Sequence, residues 1–293
     1  MSFKSGFVTI IGKPNSGKST LLNALLGEKI TIITPKAQTT RHRIKGILTT
    51  KNYQIVFSDT PGIIDPKYGL HKSMMKAVNE SLEDADVILF LLDATKDLSE
   101  AEEIAKQYGE INIPSITAIN KTDAIDEKNL AAILESAQKN FPKSKVISIS
   151  ALKKLNLDVL LNEIISKLPE QPAFFSEDDL TDRSERFIVS ELIREKIFEQ
   201  FHQEIPYSTE VAIQEWKEEK EITKIRADIM VERESQKAIL LGNKGSAIKQ
   251  LGIEARKSIE EFLKKKIFLG LTVKVNAGWR NSDRMLKYFG YEK

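Results

Sequence analysis

Five short, nearly continuous apolar runs punctuate the first half of the chain, near residues 6–11, 53–58, 86–92, 114–119 and 145–149. Between them apolar residues recur at helical spacing, as in Leu21-Leu22 and Leu25-Leu26. Strands buried on both faces read as unbroken apolar runs, so this alternation predicts an α/β layer with a mostly parallel sheet and helices on both sides. Residues 168–179 break the pattern with two prolines and an acidic end, and residues 171–182 read as a linker. Helical spacing resumes with Ile188, Leu192, Ile193, Ile197, Phe198 and Phe201. Two alternating segments follow, 210–216 and 222–231, then a short helical stretch 235–241, a helix from Ser246 to about Lys264, and a last strand at 267–275. The chemistry thus divides over a first domain at 1–170 and a second, α+β domain at 183–293.

The loop after the first run is Gly12-Lys13-Pro14-Asn15-Ser16-Gly17-Lys18-Ser19, with Thr20 opening the next helix. Strand, glycine-bounded loop and helix are the setting in which backbone N–H groups turn onto phosphate oxygens, aided by the positive end of the helix. Lys18 is placed to reach the β- and γ-phosphates, and the Ser19 hydroxyl to bind Mg²⁺. Asn120-Lys121-Thr122-Asp123 ends another apolar run. A carboxylate at Asp123 accepts from both N1–H and the 2-amino group of guanine; adenine lacks that pair of donors, which selects GTP over ATP. Asn120 would tie this loop to the phosphate loop, and the Lys121 stem would lie on the base. Ser150, Ala151 and Leu152 end the next run. Ser150 would buttress Asp123, and the Ala151 N–H would face the guanine oxygen.

Asp59-Thr60-Pro61-Gly62, followed by Ile63, closes the second run. Asp59 is placed to hold Mg²⁺ through water, and the Gly62 N–H to touch the γ-phosphate. The polar stretch Thr34–Arg41 lies between, and a threonine there would complete the Mg²⁺ shell in the triphosphate state. Thr40 is preferred and Thr39 is the alternative. Lys18, Thr40 and Gly62 form the expected catalytic set; Ser19, Thr40 and Asp59 form the expected Mg²⁺ set.

These four ordered motifs resemble the small GTPases of the translation-factor-related class over residues 5–168. The resemblance implies a P-loop GTPase domain built on a six-stranded sheet. One position departs from Ras-like enzymes: Ile63 stands where a glutamine would orient the attacking water, which predicts slow intrinsic hydrolysis. Asn15 matches the asparagine of GTPases that hold a K⁺ ion beside the phosphates, so the resemblance implies K⁺ as the missing positive charge. A turn residue tolerant of unusual backbone angles explains Asn15 equally well.

Composition narrows the rest. There is no cysteine, so disulfides and thiolate metal sites are excluded. The longest apolar run, Val87–Leu92, is far short of a membrane span, and the first strand begins too early for a signal peptide, so a soluble cytoplasmic protein is expected. The net charge of +2 conceals an asymmetry, since residues 237–293 hold thirteen Lys and Arg against five Asp and Glu. Such a basic end is a candidate polyanion surface.

Helix, two strands, helix, Gly242-Asn243-Lys244-Gly245, helix and strand resemble a type II KH domain. The resemblance implies that Gly242, Asn243, Lys244 and Gly245, with Lys249 in the following helix, clamp nucleic-acid backbone while bases lie in an apolar groove. A GTPase domain joined to a C-terminal KH domain is similar to the Era family of bacterial ribosome-assembly GTPases. Gln38-Thr39-Thr40-Arg41-His42-Arg43 and the tail from Gly278-Trp279-Arg280 to Gly290-Tyr291 carry that likeness further. It implies a monomer that binds GTP, GDP and Mg²⁺. Its implied partners are the 30S subunit and small-subunit (16S) ribosomal RNA near the 3′ end. It also implies weak peripheral association with the cytoplasmic face of the cell membrane. An RNA-binding chaperone that senses GTP with little turnover is the competing expectation, and Ile63 keeps it open. A GTPase of tRNA modification shares Asn15 and the threonine pair but not the C-terminal architecture.

Overall fold

In a computed structural model, residues 2–97 and 99–292 are described. The chain forms two compact units, and their boundary is not a single cut. The first comprises Met1–Thr31, Thr40–Asp65 and Met74–Asp182; the second comprises Ile32–Thr39, Pro66–Ser73 and Arg183–Lys293.

The first unit is built on β1 (Lys4–Ile11), β2 (Ile44–Thr49), β3 (Tyr53–Asp59), β4 (Val87–Asp93), β5 (Ser115–Asn120) and β6 (Lys145–Ser148), in the order β2-β3-β1-β4-β5-β6. All neighbours are parallel except β2 and β3. Its helices are α1 (Lys18–Leu26), α2 (Gly69–Glu83, whose first turn lies in the second unit), α3 (Ser99–Tyr108), α4 (Glu127–Asn140) and α5 (Leu157–Lys167). β4 is buried at every position, as expected of a central parallel strand. The apolar runs predict five of these strands. The sixth, β2, completes the count that the family resemblance implies; it is an antiparallel strand at one side of the sheet.

The proline-rich segment is not a free tether. The Ser5 hydroxyl donates to the Pro172 carbonyl at 2.6 Å, and the buried Gln54 carboxamide accepts from the amides of Phe174 and Phe175 at 2.7 and 3.0 Å. Phe174 packs on Phe7 with ring centroids 4.7 Å apart. The Leu180 carbonyl accepts from Ile47 N–H, extending the sheet beyond β2. Prolines stop a helix, but here two aromatic residues and a buried amide pin the extended chain that follows.

The second unit contains α6 (Glu185–Gln200), α7 (Ile205–Ser208), β7 (Glu210–Glu218), β8 (Thr223–Val231), α8 (Glu234–Leu241), α9 (Ser246–Leu263), β9 (Ile267–Val275) and α10 (Asp283–Tyr288). β7 pairs antiparallel with β8, and β8 pairs parallel with β9. The core joins Ile188, Leu192 and Ile193 of α6 to Ile225, Ile229 and Val231 of β8 and Leu251, Ala255 and Ile259 of α9. Ile32 belongs to the same core. α6 is starved of solvent on more than its apolar side: Glu191, Arg194 and Glu195 are buried too.

Candidate nucleotide site and nucleic-acid interface

The phosphate-loop residues turn sharply between β1 and α1. Asn15 has φ 65° and Gly17 has φ 98°, both left-handed. Asn15 thus adopts the backbone conformation that asparagine tolerates better than most residues. Lys18 Nζ is folded inward and donates to the carbonyls of Gly12 and Lys13, each at 3.0 Å. Burial lowers its pKa to about 8, against the opposing pull of Asp59 and Glu100. Gly62 must be glycine for a steric reason: a β-carbon there would lie 2.7 Å from Pro14 Cα. The Ile63 amide donates to the Gly12 carbonyl at 3.2 Å, while its side chain is buried among Val78, Phe90 and Leu92. Thr60 Oγ1 donates to the Ile10 carbonyl at 2.8 Å, locking the Asp59–Gly62 turn to β1.

Three oxygens converge beside this loop. Ser19 Oγ donates to Asp59 Oδ2 at 2.7 Å and lies 2.8 Å from Thr40 Oγ1. Asp59 is fully buried, and its Oδ1 has no hydrogen-bond partner; neither has the buried Ser16 Oγ. Burial raises the Asp59 pKa to about 6, opposed by the Ser19 bond, Lys18 and the Thr40 bond. A buried carboxylate with one idle oxygen, in a cluster with two hydroxyls, is a donor set short of a hard cation, and Mg²⁺ takes oxygen ligands of this kind. Thr39 does not reach this cluster. Its Oγ1 is paired with Thr34 Oγ1 at 2.6 Å and with the Lys36 carbonyl at 2.7 Å.

The base-side loops are tied to the phosphate side. Asn120 Nδ2 donates to the Ser16 carbonyl at 2.8 Å, and Asn120 Oδ1 accepts from the Ala151 amide at 2.9 Å. That amide is thus joined to the same side chain that holds the phosphate loop. Ser150 Oγ accepts from the Lys153 amide at 3.0 Å. Asp123, in the short turn Thr122–Ala124, is exposed, so its seclusion depends on a base covering it. Leu152 is likewise exposed. Two residues that sequence reasoning missed hold these parts in place. Asp93 Oδ2 accepts from Lys121 Nζ at 2.6 Å; burial works to raise its pKa, but the Lys121 and Thr95 bonds prevail and lower it. Asn23 Oδ1 accepts from the amides of Ile30 and Thr31, each at 3.1 Å, pinning the chain that leads into Thr34–Arg41. Neither residue carries a motif; only its position one strand end or one helical turn away could have suggested it.

In the second unit, Gly242 and Gly245 sit at φ 70° and 80°, and Lys244 between them at φ 48°. These angles turn the chain from α8 into α9 with Asn243 and Lys244 exposed. α9 starts immediately afterwards with no acidic residue in its first turn, and Lys249 is exposed one turn in. A helix N-terminus with exposed cationic neighbours suits phosphate. Ile239 of α8, Ile253 of α9 and Phe268 of β9 are exposed apolar side chains on the flanking elements.

Family models match in the same order: a 50S ribosome-binding GTPase over residues 7–121 and a KH domain over 204–280. The GTPase Era of Ruminiclostridium cellulolyticum is 44% identical over 294 residues, covering 100% of this chain and 99% of its own length. The chain belongs to the Era family of GTPases. The Era of Pseudomonas aeruginosa is also 44% identical, over 98% of this chain and 95% of its own. A crystal structure of Era in complex with MgGDPNP and nucleotides 1506–1542 of 16S ribosomal RNA superposes with a TM-score of 0.95. It is 42% identical and covers 99% of this chain and 100% of its own. A variant Era of Aquifex aeolicus bound to GDP·AlF4⁻ matches equally well, at 41% identity. The Era fold is thus that of this chain, a P-loop GTPase domain followed by a KH domain. No helix among the described residues is long and apolar enough to cross a membrane.

Proposed function

We propose that this chain is a GTP-hydrolysing switch that binds small-subunit ribosomal RNA near its 3′ end and assists assembly of the 30S subunit. The observation that carries the reading is the cluster of the Ser19 and Thr40 hydroxyls with Asp59, a buried carboxylate whose second oxygen, Oδ1, has no hydrogen-bond partner. Ser19, Thr40 and Asp59 would hold Mg²⁺, which supplies charge neutralisation between the β- and γ-phosphates. Thr40 rather than Thr39 takes that role, because Thr39 spends its hydroxyl on Thr34 and Lys36.

The chain's own residues do the rest. Gly12–Thr20 cradle the phosphates, and Lys18 exchanges two backbone carbonyls for phosphate oxygens. Gly62 presents its N–H to the γ-phosphate. Asn120, Lys121 and Asp123 read guanine, with Thr122, Ser150, Ala151 and Leu152 framing the pocket. The buried Ile63 has no group with which to orient water, so intrinsic turnover is slow. Asn15 holding K⁺ is the finer part of this reading, as is peripheral membrane association from the cytoplasm. Activity equal in K⁺ and Na⁺ would remove the first, and failure to float with anionic vesicles the second. Residues 1–170 are the catalytic domain, 171–182 the connection and 183–293 the RNA-binding domain.

The deciding experiment measures binding of a 3′-terminal small-subunit rRNA fragment with a GTP analogue and with GDP, alongside GTP hydrolysis with and without Mg²⁺. Mg²⁺-dependent hydrolysis and tighter RNA binding in the triphosphate state are expected. RNA binding indifferent to nucleotide, with turnover too slow to matter even on RNA, would favour the chaperone reading.

A further inference from the structure

Residues 32–39 group with the KH unit, and residues 40–65 with the six-stranded sheet, so the chain passes from one unit to the other at the Thr39–Thr40 peptide bond. Within the second unit, this segment is fastened to α6 along its length. Glu195 Oε1 accepts from the Ile33 amide at 3.1 Å. Lys36 Nζ donates to the carbonyls of Phe198 and Phe201, where α6 ends. The last anchor is the one that matters for chemistry. Arg194 Nη2 donates to the Thr39 carbonyl at 2.5 Å.

Arg194 is fully buried. Its Nε and Nη2 grip the Glu191 carboxylate in a fork, Nε at 2.7 Å from Oε1, and the remaining Nη2 hydrogen serves Thr39. Its buried Nη1 has no hydrogen-bond partner. A buried ion pair with an idle donor is a poor way to stabilise a helix, since apolar residues of like volume generally do as well or better. The use of this pair is read from what it touches. The Thr39 carbonyl and the Thr40 amide lie in one rigid plane. A charge-assisted bond to that carbonyl fixes the plane, and a short side chain beyond it bears the Thr40 hydroxyl, 2.8 Å from Ser19 Oγ.

We propose that Arg194 is a positioning residue for GTP hydrolysis: by holding the Thr39 carbonyl it fixes the peptide that presents the Thr40 hydroxyl to the Ser19–Asp59 cation site. The proposal rests on the reading of Thr40 as a Mg²⁺ ligand. It places control of a GTPase step in a helix of the RNA-binding domain, at a residue with no nucleotide motif around it. It also predicts discrimination: the triphosphate state, which uses Thr40, depends on Arg194, and the diphosphate state does not.

The test uses the full chain in three forms. Arg194→Lys keeps the buried charge but cannot hold Glu191 and Thr39 in one planar fork. The double change Glu191→Met/Arg194→Met removes both charges together, so that no lone carboxylate is stranded. Thr40→Ala controls for the reading beneath. Affinities for GDP and for a non-hydrolysable GTP analogue are measured against Mg²⁺ concentration, with single-turnover hydrolysis in parallel and thermal melts to check folding. For both Arg194 forms, GDP affinity should stay within about twofold. Analogue affinity should fall about fivefold, and the Mg²⁺ needed for half-maximal hydrolysis should rise about tenfold. In Arg194→Lys, saturating Mg²⁺ should restore most of the rate. A folded variant whose Mg²⁺ requirement and analogue affinity match those of the unaltered chain would overturn the proposal. Arg194→Lys decides it alone if the double variant does not fold. If Thr40→Ala leaves the Mg²⁺ requirement unchanged, the cation-ligand reading itself fails, and the proposal with it.

Discussion

The phosphate loop and the GxxG loop both join two elements through residues at positive φ, Asn15 and Gly17 in the first and Gly242, Lys244 and Gly245 in the second, yet they are built on opposite principles. Around the phosphate loop the functional groups are buried before any ligand arrives. Lys18 sits on two carbonyls, Asp59 has an oxygen with no partner, and both have pKa values moved toward neutrality by burial. Around the GxxG loop, Asn243, Lys244 and Lys249 stand in water. The first site is pre-organised and strained by its own charges; the second is a relaxed surface whose charges add. Single substitutions should therefore be severe in the first and graded in the second.

The largest effect is expected at Lys18. Lys18→Ala removes a buried cation from the phosphates and should lower GTP turnover at least a hundredfold, of the order of losing one strong transition-state donor, about 3–4 kcal/mol. A loss under tenfold in a folded protein would mean that the inward-turned ammonium is structural.

Asp123→Asn comes next. Replacing an acceptor by an amide that also donates should weaken GTP by about ten- to a hundredfold and favour xanthosine triphosphate, whose ring offers an acceptor where guanine has its amino group. Competition between the two nucleotides measures this directly. An unchanged preference would show that the exposed Asp123 is not covered by the base.

Changing Asn243 and Lys244 together to Asp puts negative charge where nucleic-acid backbone should pass. RNA affinity should fall by about tenfold, or 1.4 kcal/mol, with GTP affinity untouched. Binding of the unaltered chain should also weaken as salt rises. A folded double variant with full RNA affinity would reduce the GxxG loop to a helix–helix turn.

The same contrast explains what could be read from residues alone. Strands β1, β3, β4 and β5 are legible because parallel strands covered on both faces leave nearly unbroken apolar runs; β6, at one edge of the sheet, shows only as a short run around the buried Ile147 and Ile149. β2 is not legible, because its six residues mix Lys45, Gly46 and Thr49 with three apolar ones and leave neither an unbroken run nor a clean alternation. The nucleotide residues are legible because backbone geometry and phosphate chemistry dictate spacing: Gly62 admits no β-carbon against Pro14. The pinning of Phe174 and Phe175 by Gln54 and the grip of Arg194 on Thr39 are not legible. Each joins residues more than a hundred positions apart through one polar side chain, and such contacts leave no periodicity. The Ala151 amide is of the same kind: a motif places it beside the base, and only the structure shows the bond it makes to Asn120 Oδ1, 31 positions away.

The smallest effect is the one that most sharply separates the two sites, because it is a gain. Asp59 ionises with a pKa of about 6 in the folded chain, above its value of 3.8 when free, because burial disfavours the charge. With a raised folded pKa, the carboxylate binds protons better in the folded state. Its cost to stability is absent below about pH 4, grows between about pH 4 and 6, and is complete above. The rise from 3.8 to about 6 sets a ceiling of about 3 kcal/mol on that cost. Asn still leaves polar groups buried, so Asp59→Asn should stabilise the nucleotide-free protein by about 1 kcal/mol at about pH 7.5. Melts in the presence of a chelator would show it, and the gain should vanish near about pH 4. Adding Mg²⁺ and GTP analogue should reverse the order, since only the carboxylate repays its burial by holding the cation. The Asn243–Lys244 double change should move the melting temperature little under any of these conditions, having no buried charge to release. If Asp59→Asn instead lowers stability at that pH without ligand, the idle oxygen is not a source of strain, and the division between a strained site and a relaxed one fails at its most specific point.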